Sequence, residues 1–144
     1  MAAGDLTVFN EARAYMIDGG WEPTDDIKCA ILDNTTAPTA ADTAPELADY
    51  TQVGSAGSYV SGGTSLGNLG TLVSESGGTM TFDSSTNPVW AADASNDTDA
   101  YFLYVYNATQ SGGPGIAFVE LGGPVNMATI SLQANWNASG LFTI

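Results

Sequence analysis

Ala100-Tyr101-Phe102-Leu103-Tyr104-Val105-Tyr106-Asn107 is the stretch on which the fold turns. Tyr101, Leu103 and Val105 alternate with Phe102, Tyr104 and Tyr106, so a strand here carries large side chains on both faces. Such a strand has to be covered twice, which places it centrally in a sheet or at an interface. Toward the C-terminus, residues 115–121 and 129–136 have the same character, and residues 140–144 close the chain as a terminal strand. Toward the N-terminus, Ile27, Cys29 and Ile31 alternate with Lys28, Ala30 and Leu32, which predicts another strand buried on at least one face.

Between these lie short strand-like runs at 50–53, 64–69, 71–75, 79–83 and 88–91, separated by turns rich in Gly, Ser and Asn. Gly77-Gly78 predicts a hairpin, because adjacent glycines accept the positive φ angles of a tight turn. Residues 34–45 read as an extended loop, and 44–50 as a single helical turn. The one helix is predicted over 5–18: Leu6, Phe9, Ala12 and Met16 share a face, Asp5 is the N-cap, and Gly19-Gly20 is the stop. One helix followed by eight to ten strands predicts an all-β fold, an antiparallel β-sandwich with jelly-roll or Greek-key connections, as a single domain over residues 1–144.

The charge pattern excludes whole classes of function. The net charge is −14, yet 16 acidic residues are ordinary for this length; the abnormality is that Arg13 and Lys28 are the only cations. Two cations cannot displace counterions from a phosphate backbone, which argues against nucleic-acid binding, and they cannot hold an anionic membrane surface. The absence of His removes imidazole acid/base catalysis, Ser-His-Asp and Cys-His nucleophiles, and imidazole metal ligands. Cys29 has no partner for an intrachain disulfide. The start Met1-Ala2-Ala3-Gly4-Asp5 has no basic and apolar leader pattern, and no apolar run is long enough to span a bilayer, so synthesis in a cytoplasm without a signal peptide is expected.

Candidate chemistry is sparse. Asp93, Ser95, Asp97 and Asp99 alternate as in a calcium loop, but Thr98 replaces the turn glycine and Tyr104 stands where a closing Glu would be, so a solvated turn is favoured over a metal site. Glu11, Glu22, Glu46, Glu75 and Glu120 could in principle supply paired carboxylates for glycoside cleavage, but no spacing brings two together. No catalytic residue and no cofactor is assigned, and the chain is read as a non-enzyme. Among the aromatics, Trp90 and Trp136 sit in strand-like runs and are read as core, whereas Leu6, Phe9, Trp21, Tyr50 and Tyr59 are read as protein-contact residues on the helix and glycine-rich loops. The sequons at Asn34, Asn96, Asn107 and Asn137 are read as coincidences of a Thr- and Asn-rich composition.

The order of these landmarks resembles a loose family of small virion proteins of tailed bacteriophages. The likeness rests on Ala3-Gly4-Asp5-Leu6-Thr7-Val8-Phe9-Asn10, on Ile27-Lys28-Cys29-Ala30-Ile31-Leu32, and on Tyr50-Thr51-Gln52-Val53 leading to Gly57-Ser58-Tyr59-Val60-Ser61-Gly62-Gly63. It continues through Thr81-Phe82-Asp83, Trp90 and the strand at Tyr101 to Trp136-Asn137-Ala138-Ser139-Gly140-Leu141-Phe142. In the family pattern Tyr follows Gly directly, and here Ser58 intervenes. The resemblance implies a non-enzymatic structural role on a phage particle. Capsid decoration from outside the major capsid protein shell, as a homo-oligomer and most simply a trimer, fits an acidic chain that avoids the packaged genome. A head-tail adaptor, neck or tail component is the nearest alternative, and a carbohydrate-binding or adhesin module is the alternative from another class.

Overall fold

The computed structural model describes residues 4–18, 20–137 and 142–143. In chain order the elements are β1 (Leu6–Val8), α1 (Asn10–Ile17), β2 (Asp26–Leu32), a 3-10 turn (Leu47–Asp49), β3 (Thr64–Asn68), α2 (Leu69–Leu72) and β4 (Val73–Ser76). There follow β5 (Thr79–Phe82), β6 (Val89–Trp90), β7 (Ala100–Asn107), β8 (Gly115–Val125), β9 (Leu132–Gln133) and β10 (Phe142–Thr143). Five strands form one antiparallel sheet in the order β1-β8-β7-β2-β3, three form a second in the order β10-β5-β4, and β6 pairs with β9. The fold is all-β and sandwich-like, with unequal layers. The β7–β8 hairpin sits between the first two strands of the chain, so β7 is the middle strand of the large sheet.

The period-two pattern of β7 divides the molecule into two cores. On one face Leu103 and Val105 lie opposite Ile31 and Cys29 of β2 and Val119 and Ala117 of β8. These residues pack with Phe82, Trp90 and Leu132, so the two small sheets cover this side. On the other face Tyr104 lies between Ala30 and Phe118, and Phe9, Ala12, Tyr50 and Tyr106 complete the cluster. Here helix α1 and the segment after β2 are the cover. Each large side chain enclosed in either cluster contributes about 1.5–3 kcal/mol of transfer free energy. A register irregularity between Ala100 and Phe102 breaks the alternation, and Tyr101 and Phe102 both join the aromatic side. The doubly covered strand expected from the sequence is therefore found with its predicted bounds.

At the N-terminus the expected helix over 5–18 is corrected. Leu6-Thr7-Val8 is a strand paired with Val119, Phe118 and Ala117, and the helix begins only at Asn10. Two β-branched residues favour extended backbone, and β8 offers them an unpaired edge. Phe9, in an extended conformation, occupies the N-cap position without a side-chain cap bond, so Asp5 is not the cap. Of the expected stop, Gly19 lies outside the described residues. The run at 50–53 is not a strand either: Tyr50 ends the 3-10 turn, and only Gln52 bridges to Leu32. Residues 69–72 form a helical turn before β4, the run at 129–136 shrinks to Leu132–Gln133, and of 140–144 only Phe142–Thr143 falls within the described residues. Gly77 and Gly78 do form the hairpin turn, with φ of 60° and 83°. Arg13 is exposed on α1, and Lys28 is half-buried on β2, with its ammonium 3.9 Å from Asp26. No helix of the described residues is long and apolar enough to cross a membrane.

Candidate functional site

The expected contact residues separate by burial. Leu6 is half-buried in β1, and Trp21 is half-buried with its ring stacked on Tyr15 at 6.2 Å. Phe9 is fully enclosed, its ring 5.7 Å from that of Tyr104 and 5.1 Å from that of Phe118. Tyr50 and Tyr59 are buried at 7% and 1% exposure. Phe9, Tyr50 and Tyr59 are therefore core, a correction to the surface role expected of them. The glycines around Tyr59 suggest an exposed loop, but they serve close approach. A Cβ on Gly63, whose φ is +73°, would lie 1.9 Å from the Cys29 carbonyl oxygen. The loop can thus lie flat on β2, where the Tyr59 hydroxyl donates to Gln52 Oε1 at 2.6 Å and accepts from the Ile31 N–H at 3.3 Å. Trp90 is buried as expected, and half-buried Trp136 donates its indole N–H to the Thr86 carbonyl at 2.7 Å.

The acidic run at 93–99 does not assemble a ligand set. Asp93 accepts from the Ser95 N–H, and Asp97 accepts from the Gly54 N–H. Between them buried Asn96 faces inward: its Oδ1 accepts from the Ser58 N–H at 2.7 Å, and its Nδ2 meets the carbonyls of Ala91 and Met127 at 3.0 and 3.1 Å. The segment is a clamp on the 54–58 turn. No group of three or more His, Cys, Asp or Glu that could hold a metal occurs among the described residues, so Asp93, Asp97 and Asp99 are not gathered as a calcium site. Asn96 and Asn107 are both buried, which closes those sequons to a glycan in the folded chain.

One concavity of the fold was not among the expected sites. An open groove of about 450 Å³ runs between the 3-10 turn and the β7–β8 loop, with Leu47, Tyr50, Gln52, Tyr106, Gln110 and Gly113 in its walls. A reciprocal capping box of Glu46 and Asp49 shapes one wall, and the Leu47 N–H reaches the carbonyls of Gly112 and Gly113, each at 3.2 Å. Gly112 sits at φ +82°, a backbone conformation that favours glycine, and a Cβ there would displace the Glu46 carboxylate. The floor is fixed from beneath. Tyr50 donates to Asp42 at 2.7 Å and Tyr106 donates to the Gly62 carbonyl at 2.7 Å. Burial and the Asp42 carboxylate push the Tyr50 phenol well above its ordinary pKa, so it stays a donor.

The far wall stands on Asp25, a carboxylate at 2% exposure. Burial alone would raise its pKa; hydrogen bonds from Asn107, Gln110 and the Glu22 N–H, at 2.7, 2.9 and 3.1 Å, outweigh that and hold it below the ordinary range. Burial raises the floor phenols of Tyr50 and Tyr106, and hydrogen bonds lower the Asp25 carboxyl, an arrangement that holds shape and offers polar contacts. The chain shows no significant match to any family model, curated protein or solved structure.

Proposed function

We propose that this chain is a structural virion protein of a tailed bacteriophage, a capsid decoration protein that binds the outer face of the major capsid protein shell and strengthens it. The observation that supports the reading is the surface left once both faces of the large sheet are consumed internally. Most bulky aromatic side chains lie in the two cores, and the exterior carries small neutral residues and carboxylates with the isolated aliphatics Ile17, Val60, Val89 and Ile130 exposed among them, Arg13 being exposed and Lys28 half-buried. Such a surface can lie against other polypeptides without trapping unpaired ammonium or guanidinium groups, whose burial is costly. Its charge also bears on the partner's chemistry. At −14 per copy, neighbouring decoration subunits repel one another, so the shell beneath supplies cationic groups, and attachment weakens as salt rises.

Electron microscopy of purified particles of the encoding phage, with the bound chains counted, tests this. Hundreds of copies on the shell lattice are expected. A dozen or fewer would move the protein to the neck or tail, and absence from the particle would overturn the proposal.

A further inference from the structure

We propose that the groove between the 3-10 turn and the β7–β8 loop binds a neutral, hydroxyl-rich ligand of one or two pyranose rings. The proposal does not depend on where the chain resides. It rests on two amides whose orientation the structure fixes. Gln52 Oε1 accepts from the Tyr59 hydroxyl at 2.6 Å and from the Gly62 N–H at 2.7 Å, so the oxygen must point inward, and Nε2 is left without a hydrogen bond among the described residues. Gln110 is the reverse case. Its Nε2 donates to Asp25 at 2.9 Å, a contact only the nitrogen can make, and its Oε1 has no hydrogen bond among the described residues. Both residues line the groove, so it presents one open donor and one open acceptor on a rigid frame. A sugar hydroxyl is at once donor and acceptor and satisfies such a pair.

Size and charge narrow the class. The groove, about 450 Å³, is shallow and open to solvent, a shape on which one or two sugar rings can lie with one face exposed. The walls carry no cation, and the turn that forms one of them bears Glu46 and Asp49, which disfavours phosphates and uronic or sialic acids. An extended peptide would be held chiefly by main-chain pairing along a free strand edge, and these walls are a 3-10 turn and a loop. Tyr50 and Tyr106 are only 7% and 4% exposed and add little stacking area, so binding rests on the polar pair and is weak, with Kd of about 1 mM.

The test is an amide NMR titration of the isotope-labelled full chain. Its probes are glucose, galactose, mannose, N-acetylglucosamine, maltose and lactose up to about 50 mM, with glucuronate and a neutral pentapeptide as comparisons. At least one neutral sugar should move the amides of Ala108, Gln110, Gly112 and Gly113, with glucuronate at least about fivefold weaker. Ala48→Trp, on the exposed side of the groove, should abolish the response while the rest of the spectrum stays in place; Ala48→Arg is the second variant should the first misfold. Three outcomes overturn the proposal: no sugar moves these amides, the shifts persist unchanged in the folded Ala48 variants, or only the pentapeptide binds. The titration uses the free chain, so its failure is distinguishable from a failure to find the chain on particles.

Discussion

Tyr104→Phe should make this protein more stable. The Tyr104 hydroxyl is fully buried in the aromatic core and has no hydrogen-bond partner among the described residues, while its ring packs against Phe9, Tyr50 and Tyr106. An unsatisfied buried polar group costs about 1–3 kcal/mol, because its bonds to water are lost and not replaced. Deleting the oxygen leaves a void smaller than a methyl group beside Gly115, whose α-carbon side faces it closely, and that void costs a few tenths of a kcal/mol. The net gain is about 1 kcal/mol. For a chain of this length the unfolding entropy is about 0.3 kcal/mol/K, so Tm should rise by about 3 °C. Urea unfolding followed by Trp fluorescence gives the free energy, with the m-value unchanged. Tyr59→Phe is the matched control: its hydroxyl has a donor and an acceptor, and its loss should cost about 1–2 kcal/mol. A loss of 1 kcal/mol or more in Tyr104→Phe would show that the hydroxyl is satisfied and refute the reasoning.

Gly63→Ala should prevent folding or cost at least about 3 kcal/mol, because the new methyl would overlap the Cys29 carbonyl, whereas Gly77→Ala, at positive φ but in open space, should cost about 1 kcal/mol; thermal melts compare them. Asn96→Ala should cost about 1–3 kcal/mol in urea unfolding, since the Ser58 N–H loses its acceptor, while the Ala91 and Met127 carbonyls lose one donor each and keep the Ser58 hydroxyl and the Asp93 N–H. Asp25 and Asp42 are held below the ordinary Asp value of 3.8 in the folded state, so the stability they confer is complete above that value and is lost as pH falls through their folded values. Acid titration of Tm should therefore be flatter in Asp25→Asn than in the parent, and an equal slope would remove Asp25 from the account. Cys29 is fully buried, its thiol pushed up to about 12 by burial, and should react with a thiol reagent only at the rate of global unfolding.

The sheet was legible because its signal is carried by neighbours in the chain. In β7 and β2 the alternation of Leu103, Tyr104 and Val105, or of Cys29, Ala30 and Ile31, is a local property that burial on two faces imposes. The N-terminal strand was not legible. Leu6, Phe9 and Ala12 fit a helical face, and what makes Leu6-Thr7-Val8 extended is an edge on β8 more than a hundred residues away. Tyr59 was misplaced because glycine signals either exposure or close approach, and only the position of the Cys29 carbonyl decides between them. The groove was invisible for the same reason as the strand: its walls come from residues 47–52 and 106–113, joined by tertiary contact. The Gly112-Gly113 pair next to an aromatic strand was the one local hint.

The placement of the two cations gives the folded chain a built-in stability gauge. Trypsin cleaves only after Lys or Arg, so Arg13 and Lys28 are its whole set of targets. The bond after Lys28 lies in β2, flanked by β7 and β3, and can enter a protease only when the large sheet comes apart; the bond after Arg13 lies in a helix of eight residues with only Ala12 buried. Cutting after Arg13 thus reports loosening of the helix, and cutting after Lys28 reports global opening, so one gel-based digestion reads out local and global unfolding free energies separately.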